Sequence, residues 1–119
     1  MVLIDTSVWV DHLRSGNSSL TQLLSNAKVV CHPFVIGELA CGNLRNRTEI
    51  LSLLQSLPAI PEIAHEDLLR FVESHRLMGR GLGLIDVHLL ASARLAATPL
   101  WTMDRRLREA STALDVAYR

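Results

Sequence analysis

The chain has 119 residues, of which 49% are hydrophobic and 20% are charged. This length suits one domain, and this composition excludes a disordered or low-complexity protein. Lys and Arg together number 12, as do Asp and Glu, so the net charge is zero. Because no overall field attracts nucleic acid or an acidic membrane, an anionic partner must be held by a local patch or by a metal ion.

In chain order, the sequence predicts a strand at 2–4, a helix from Thr6 or Ser7 to about Gly16, a helix opened by Ser19, a strand at 29–31, and helices at 33–42 and 48–57. A brief strand at 59–60 follows, then helices at 65–78 and 84–97, a strand at 99–102, a helix at 105–110 and a last edge strand within 113–117. Alternating strands and helices predict an α/β fold with a parallel sheet covered on both faces. One domain is expected over 1–119.

The sequence has few features that indicate a cellular location. No stretch of about 18 apolar residues occurs, which predicts that no segment spans a membrane. The first five residues lack the basic start of a signal peptide. Cys31 and Cys41 do not stand at zinc-site spacing and are interpreted as small hydrophobic residues. A reducing, cytoplasmic location is therefore expected.

Four acidic residues stand in apolar surroundings. Asp5 and Asp104 each follow a predicted strand, and ligands of parallel α/β sheets gather beyond the carboxyl ends of the strands. Glu38 and Asp86 interrupt stretches that contain no other charge. Each acid alone could equally be a helix cap or a solvated helix residue. Burying four unpaired carboxylates is costly, however, so we interpret the four as one site.

A group of neighbouring carboxylates favours the binding of a metal ion. The negative charges repel one another and favour a hard cation among them. Oxygen ligands select Mg²⁺ or Mn²⁺, and Mg²⁺ keeps waters and substrate phosphates in its coordination sphere. Such an ion activates water and stabilises the oxyanions of a phosphodiester displacement. The residues by themselves therefore predict a metal-dependent phosphoryl-transfer site.

The ordered motifs resemble the PIN domain, and within it the VapC-type toxins of bacterial and archaeal toxin–antitoxin pairs. The matching stretches are LIDTSVW at 3–9, GEL at 37–39, DVHLLASA at 86–93 and WTMD at 101–104. The resemblance covers essentially the whole chain and implies a PIN-like three-layer α/β/α sandwich with a mainly parallel sheet. It also implies an endoribonuclease dependent on Mg²⁺ or Mn²⁺, a homodimer, and inhibition by a VapB-type antitoxin.

The same resemblance implies roles for individual residues. Asp5 and Asp86 match metal ligands, and Glu38 matches a ligand or the base for the attacking water. Asp104 matches an acid that often binds the metal through water or lies outside the ligands, and all four acids are expected to be catalytic. Hydroxyl positions that orient the carboxylates or a water are matched by Thr6, Ser7 and Thr102.

Basic residues near these motifs are candidate contacts for the RNA backbone. Arg80 lies in a glycine-rich turn, and Arg105 and Arg106 follow Asp104 directly. Contacts of this kind give salt-sensitive affinity without sequence preference, and a solvated helix face is the alternative interpretation. Arg45 lies in a smaller basic patch after the helix of Glu38.

Some alternatives stay open at this level. The leucines of the helix predicted at 48–57 could line a groove for an antitoxin helix or belong to the core; they are Leu51, Leu53, Leu54 and Leu57.

Two alternative functions also remain open. A PIN-like nuclease of RNA maturation would share the site and lack an antitoxin, and an inactive PIN-like interaction module would keep only the fold. A signalling receiver domain is disfavoured, because the single lysine, Lys28, does not follow a late strand.

Overall fold

Three parallel strands form the centre of the molecule, in a computed structural model that describes residues 1–119. They are β1 (Val2–Ile4), β2 (Val29–Val30) and β3 (Leu100–Trp101), in the order β2-β1-β3. Leu3 pairs with a residue of β2 on one side and of β3 on the other. Single parallel bridges, Cys31 with Ala59 and Leu100 with Ala117, continue the sheet at its two edges. The predicted parallel sheet is confirmed.

Seven helices cover this sheet. They are α1 (Thr6–Ser15), α2 (Ser18–Ser25), α3 (Pro33–Cys41), α4 (Arg47–Ser56), α5 (His65–His75), α6 (Leu84–Leu95) and α7 (Arg105–Ala113). Helix α6 is the most enclosed, since all of its residues from 87 to 93 are buried. The buried hydrophobic residues form one core cluster. The architecture is the expected three-layer α/β/α sandwich. None of the helices has the length and apolar character that a membrane crossing requires.

Several predicted element ends are wrong. The helix predicted over 65–78 ends at His75, because Arg76 adopts a left-handed conformation (φ 51°) before the expected glycine is reached. The last helix continues from its predicted end to Ala113. This extension consumes part of the predicted final strand, of which only the bridge at Ala117 remains. The brief strand predicted at 59–60 is likewise a single bridge, at Ala59.

The helix caps also differ from the prediction. The carboxylate of Asp5 accepts a hydrogen bond from the amide of Ser7, so Asp5 caps α1 in place of Thr6 or Ser7. Asn17, not Ser19, caps α2 by accepting from the amide of Leu20. Both are good capping residues, because their side-chain oxygens reach the free amides of the first turn.

Candidate active site

Asp5 lies at the carboxyl end of β1 and is 6% exposed. Its Oδ2 atom accepts hydrogen bonds from the hydroxyls of Ser7 and Thr102, each at 2.7 Å, and a longer one of 3.4 Å from the Ser7 amide. These bonds satisfy the buried charge without a cationic partner. All of them reach Oδ2, so Oδ1 is the oxygen available to a ligand.

The two hydroxyls also hold the segment that follows β3. The Ser7 hydroxyl accepts from the Met103 amide at 3.0 Å, and the Thr102 hydroxyl accepts from the Asp104 amide at 3.0 Å. Each hydroxyl thus donates its proton to Asp5 and accepts a backbone N–H. Both hydroxyls contact the Asp5 carboxylate directly. That they orient it for catalysis stays a prediction.

Asp86 lies in the first turn of α6, where its Oδ2 atom accepts the Gly83 amide at 2.9 Å. Burial raises the pKa of Asp86 above its ordinary value, and the Gly83 hydrogen bond opposes this effect. The negative charges of Asp5, Asp104 and Glu38 raise the same pKa further. Because all three act on Asp86, the four predicted acids lie in one electrostatic environment.

Glu38 and Asp104 are the exposed members of this group. Glu38 projects from α3, and its Oε1 atom accepts the Thr6 hydroxyl at 2.6 Å. Asp104 caps α7, where its Oδ1 atom accepts the Leu107 amide at 2.9 Å. Asp5 and Asp104 are therefore helix caps as well as members of this group of acids. Each of the four acids binds the chain through one carboxylate oxygen and keeps the other unengaged.

The donor set suits a hard divalent cation. Four carboxylates meet without a basic side chain paired to any of them. As placed, no three acidic, histidine or cysteine side chains surround one point at ligand distance. An ion here would thus take few protein ligands and fill its coordination sphere with water and phosphate oxygens, which is the arrangement that Mg²⁺ prefers. Direct ligation by all four acids stays a prediction.

The three predicted RNA-binding arginines have different surroundings. Arg105 pairs with Glu109 on the exposed face of α7, at 3.3 Å. Arg106 packs over Gly81, where an added Cβ would lie 2.6 Å from the guanidinium Nη1 atom. The Arg106 side chain could move aside, but the φ of 75° at Gly81 favours glycine in this turn. Arg80 is exposed. Sequence reasoning missed the packing of Arg106, which no local pattern signals.

Two concave surfaces lie near α1 and α4, and one of them is lined by Glu38. The first, which we call the Glu38 cleft, has a volume of about 700 Å³ and is lined by Thr6, Val10, Leu13, Arg14, Glu38, Leu39, Gly42, Asn43, Leu44, Arg45, Asn46 and Ile50. The cleft was not predicted, although the Asn- and Arg-rich turn after α3 was its available signal.

The second surface, the apolar groove, has a volume of about 300 Å³ and is lined by Trp9, His12, Leu13, Leu24, Ile50, Leu53, Leu54, Ser56 and Leu57. Leu54 is buried, whereas Leu53 is 58% exposed. The leucines of α4 thus contribute both to the core and to a groove, while the binding of an antitoxin helix there stays a prediction.

Comparisons with known proteins agree with this fold. The PIN domain family profile matches residues 2–112. Ribonuclease VapC32 of Mycobacterium tuberculosis, found in two strains, is 45% identical over 118 residues, which cover 98% of this chain and 95% of the relative. The crystal structure of PAE2754 from Pyrobaculum aerophilum shares the fold, with a TM-score of 0.64 at 17% identity over 96% of this chain and 92% of that one. The chain therefore belongs to the PIN domain family, among its VapC-type members.

Proposed function

We propose that the chain is a Mg²⁺- or Mn²⁺-dependent endoribonuclease, and that it is the toxin of a VapBC-type pair. The observation that carries the proposal is that the charges of Asp5, Asp104 and Glu38 all act on Asp86, while each of the four acids keeps one unengaged carboxylate oxygen. The 45% identity to a protein named a ribonuclease supports RNA as the substrate.

The mechanism assigns a task to each side chain. Asp5, held by two hydroxyls, and Asp86, held by Gly83, would hold the ion through Oδ1 of each carboxylate. When bound, the ion lowers the pKa of a coordinated water and stabilises charge on the phosphodiester. Glu38 is exposed and oriented by Thr6, so it can accept the proton of the attacking water. Asp104 would bind through water. The products would carry 5′-phosphate and 3′-hydroxyl ends.

The direct test is cleavage of mixed cellular RNA by purified, partner-free protein. We expect discrete fragments with Mg²⁺ or Mn²⁺, full loss of cleavage with EDTA, and recovery when excess metal is restored. End mapping of the fragments then checks the predicted termini. Cleavage that persists in EDTA would contradict the metal-dependent mechanism, and no cleavage with either metal would favour the inactive interaction module.

A VapB-type antitoxin is the proposed protein partner, with the apolar groove as its docking surface. The groove exposes Leu53 beside Trp9 and Leu57, and exposed apolar grooves of this kind accept the apolar face of an amphipathic helix. The groove adjoins the Glu38 cleft, since Leu13 and Ile50 line both. A partner bound in the groove would therefore extend close to the acids and obstruct the binding of RNA.

Leu53→Asp tests this partnership. A carboxylate buried against an apolar helix costs at least about 2 kcal/mol, so the affinity for the antitoxin encoded beside this chain should fall about 30-fold or more. Titration calorimetry measures it, and Leu69→Asp is the matched control, because Leu69 is 53% exposed on α5 outside the groove. Equal affinity of both variants would remove the groove as the docking surface. The lack of any neighbouring antitoxin would favour an RNA-maturation nuclease.

Two expectations stay predictions. The homodimer implied by the family rests on no contact within this chain, and light scattering of the purified protein measures it. The cytoplasmic location is supported by two free thiols, of which Cys31 is buried and Cys41 is exposed. Such thiols suit a reducing compartment.

A further inference from the structure

The Glu38 cleft is lined by one of the four acids, Glu38. The hydrogen bond of 2.6 Å between Thr6 and Glu38 joins two of its lining residues, one on α1 and one on α3. Arg14, in the last turn of α1, and Arg45, in the turn between α3 and α4, also line the cleft. Its volume of about 700 Å³ lies within the range of sites that bind small organic ligands.

The two arginines of the cleft keep their charges unpaired. The ion pairs of the chain are Arg70 with Asp67 and Arg105 with Glu109, so neither Arg14 nor Arg45 has an acidic partner. Both side chains are exposed. In a chain of zero net charge, such local cations are the main attraction for an anion, and they also offset the repulsion that Glu38 exerts on a phosphate.

The turn that carries Arg45 is held in place. The guanidinium of Arg47 donates to the carbonyl oxygens of Ala40 at 2.5 Å and Gly42 at 3.2 Å, which ties the start of α4 to the end of α3. Asn46 is left-handed, with a φ of 51°, and its side chain makes no cap hydrogen bond to α4. Its exposed amide is thus free for an external partner, with the turn already ordered.

Resting on the proposed nuclease function, we propose that the Glu38 cleft is a nucleotide subsite for single-stranded RNA next to the scissile phosphate. Arg14 and Arg45 each bind a backbone phosphate, and the amide of Asn46 reads the edge of an unstacked base. Proteins recognise RNA sequence mainly on such splayed, single-stranded bases, by hydrogen bonds to their edges. Apolar side chains of the cleft, Leu44 and Ile50, pack against the base. The mixed charge and polarity favour RNA over a protein segment here, whereas the neighbouring groove is apolar.

The test measures RNA affinity without cleavage. Short, fluorescein-labelled single-stranded RNA of random sequence is titrated in EDTA against the wild-type chain, Arg14→Gln, Arg45→Gln and the double variant. Each lost phosphate contact should raise Kd about threefold and lower the slope of log K against log salt by about 0.7. Arg45→Lys should keep most of the wild-type slope. Lys28→Gln is the matched control, because Lys28 is exposed at the amino end of β2, opposite the site.

Cleavage kinetics with Mg²⁺ separate this proposal from the nuclease function. We expect the double variant to raise KM about tenfold with a smaller change in kcat, and Asn46→Ala to change the preferred cleavage sequence. Cleavage by the double variant with unchanged KM and unchanged salt slope would overturn the subsite and leave the nuclease function intact. Unchanged RNA affinity together with weakened antitoxin binding would assign the cleft to the protein partner and also overturn it. No cleavage by the wild-type chain would contradict the nuclease function itself.

Discussion

Replacing Asp86 with Asn should reduce RNA cleavage by about three orders of magnitude while leaving the chain folded. The amide keeps the size of the side chain, and its oxygen can still accept the Gly83 amide. It loses the negative charge that a divalent ion requires, and such an ion supplies several kcal/mol of transition-state stabilisation. Single-turnover cleavage of the mapped RNA gives the rate, and Asp115→Asn, an exposed residue with a φ of 57°, is the matched control.

Thermal unfolding, which measures Tm with and without Mg²⁺, is a second test of the Asp86→Asn variant. Without metal, burial and three neighbouring carboxylates disfavour the charged form of Asp86, so the variant should be at least as stable as the wild type. Mg²⁺ should raise the Tm of the wild-type chain by mass action and leave that of the variant nearly unchanged. Full cleavage by the variant, or an equal shift of Tm with Mg²⁺, would exclude Asp86 as a ligand.

Acidification should destabilise the chain strongly through His32. This side chain is fully buried, and its Nδ1 atom accepts the Phe34 amide at 3.0 Å, which caps α3. Burial and, as the smaller cause, the charge of His88 on α6 together lower the pKa of His32 from 6.5 to about 4. Protonation would remove the capping acceptor and place a charge in the core.

Because the pKa of His32 is lower in the folded chain than in the unfolded chain, its contribution to stability is lost as the pH falls. Above pH 6.5 His32 is neutral in both states, and its contribution to stability is complete. As the pH falls from 6.5 to about 4, the unfolded chain takes up the proton first, so the free energy of unfolding decreases by about 3 kcal/mol, at 1.36 kcal/mol per pH unit. Cys31 next to it stays neutral throughout, because burial raises its pKa to about 11.

Urea denaturation at several pH values measures this loss. His32→Asn keeps a good capping acceptor and removes the titrating group, so its stability should fall less between pH 6.5 and 4. The pKa of His88 is lowered as well, by burial and by His65, with Glu62 opposing, so part of the pH dependence remains in the variant. His75→Asn, at the end of α5, controls for the loss of a histidine elsewhere. The same pH dependence in His32→Asn and the wild type would contradict the prediction.

The positions of Asp5 and Asp104 beyond strand ends could be predicted from the sequence, whereas the contacts that hold these acids could not. Apolar runs that stop at Asp5 and just before Asp104 placed both acids beyond strand ends, because a short strand leaves its next residue at the sheet edge. The convergence of Glu38 and Asp86 with them came from the ordered motifs, since residues on separate helices share no local pattern. Which oxygen of Asp5 stays free depends on hydroxyls of Ser7 and Thr102, and such geometry cannot be read from spacing.

The residues at which helices end also could not be predicted from local sequence alone. A glycine at 79 is a sound signal for the end of a helix, yet α5 ends earlier, at a left-handed Arg76. The buried Leu77 that follows explains this choice, since core packing outweighs the modest cost of a left-handed arginine. Likewise the packing of Arg106 on Gly81 joins two segments far apart in sequence, and only the assembled fold brings them together.

The two hydroxyls that hold Asp5 come from opposite ends of the chain: Ser7 follows β1, and Thr102 follows β3, which pairs with β1 in parallel. During synthesis, residues 100–104 are added only after β1, β2 and the helices α1 to α6 have been made. Until then Asp5 lacks one of its two hydroxyl partners, and Asp104 has not yet been made. A nascent chain that stops before residue 102 therefore lacks both the Thr102 hydroxyl that holds Asp5 and the carboxylate of Asp104.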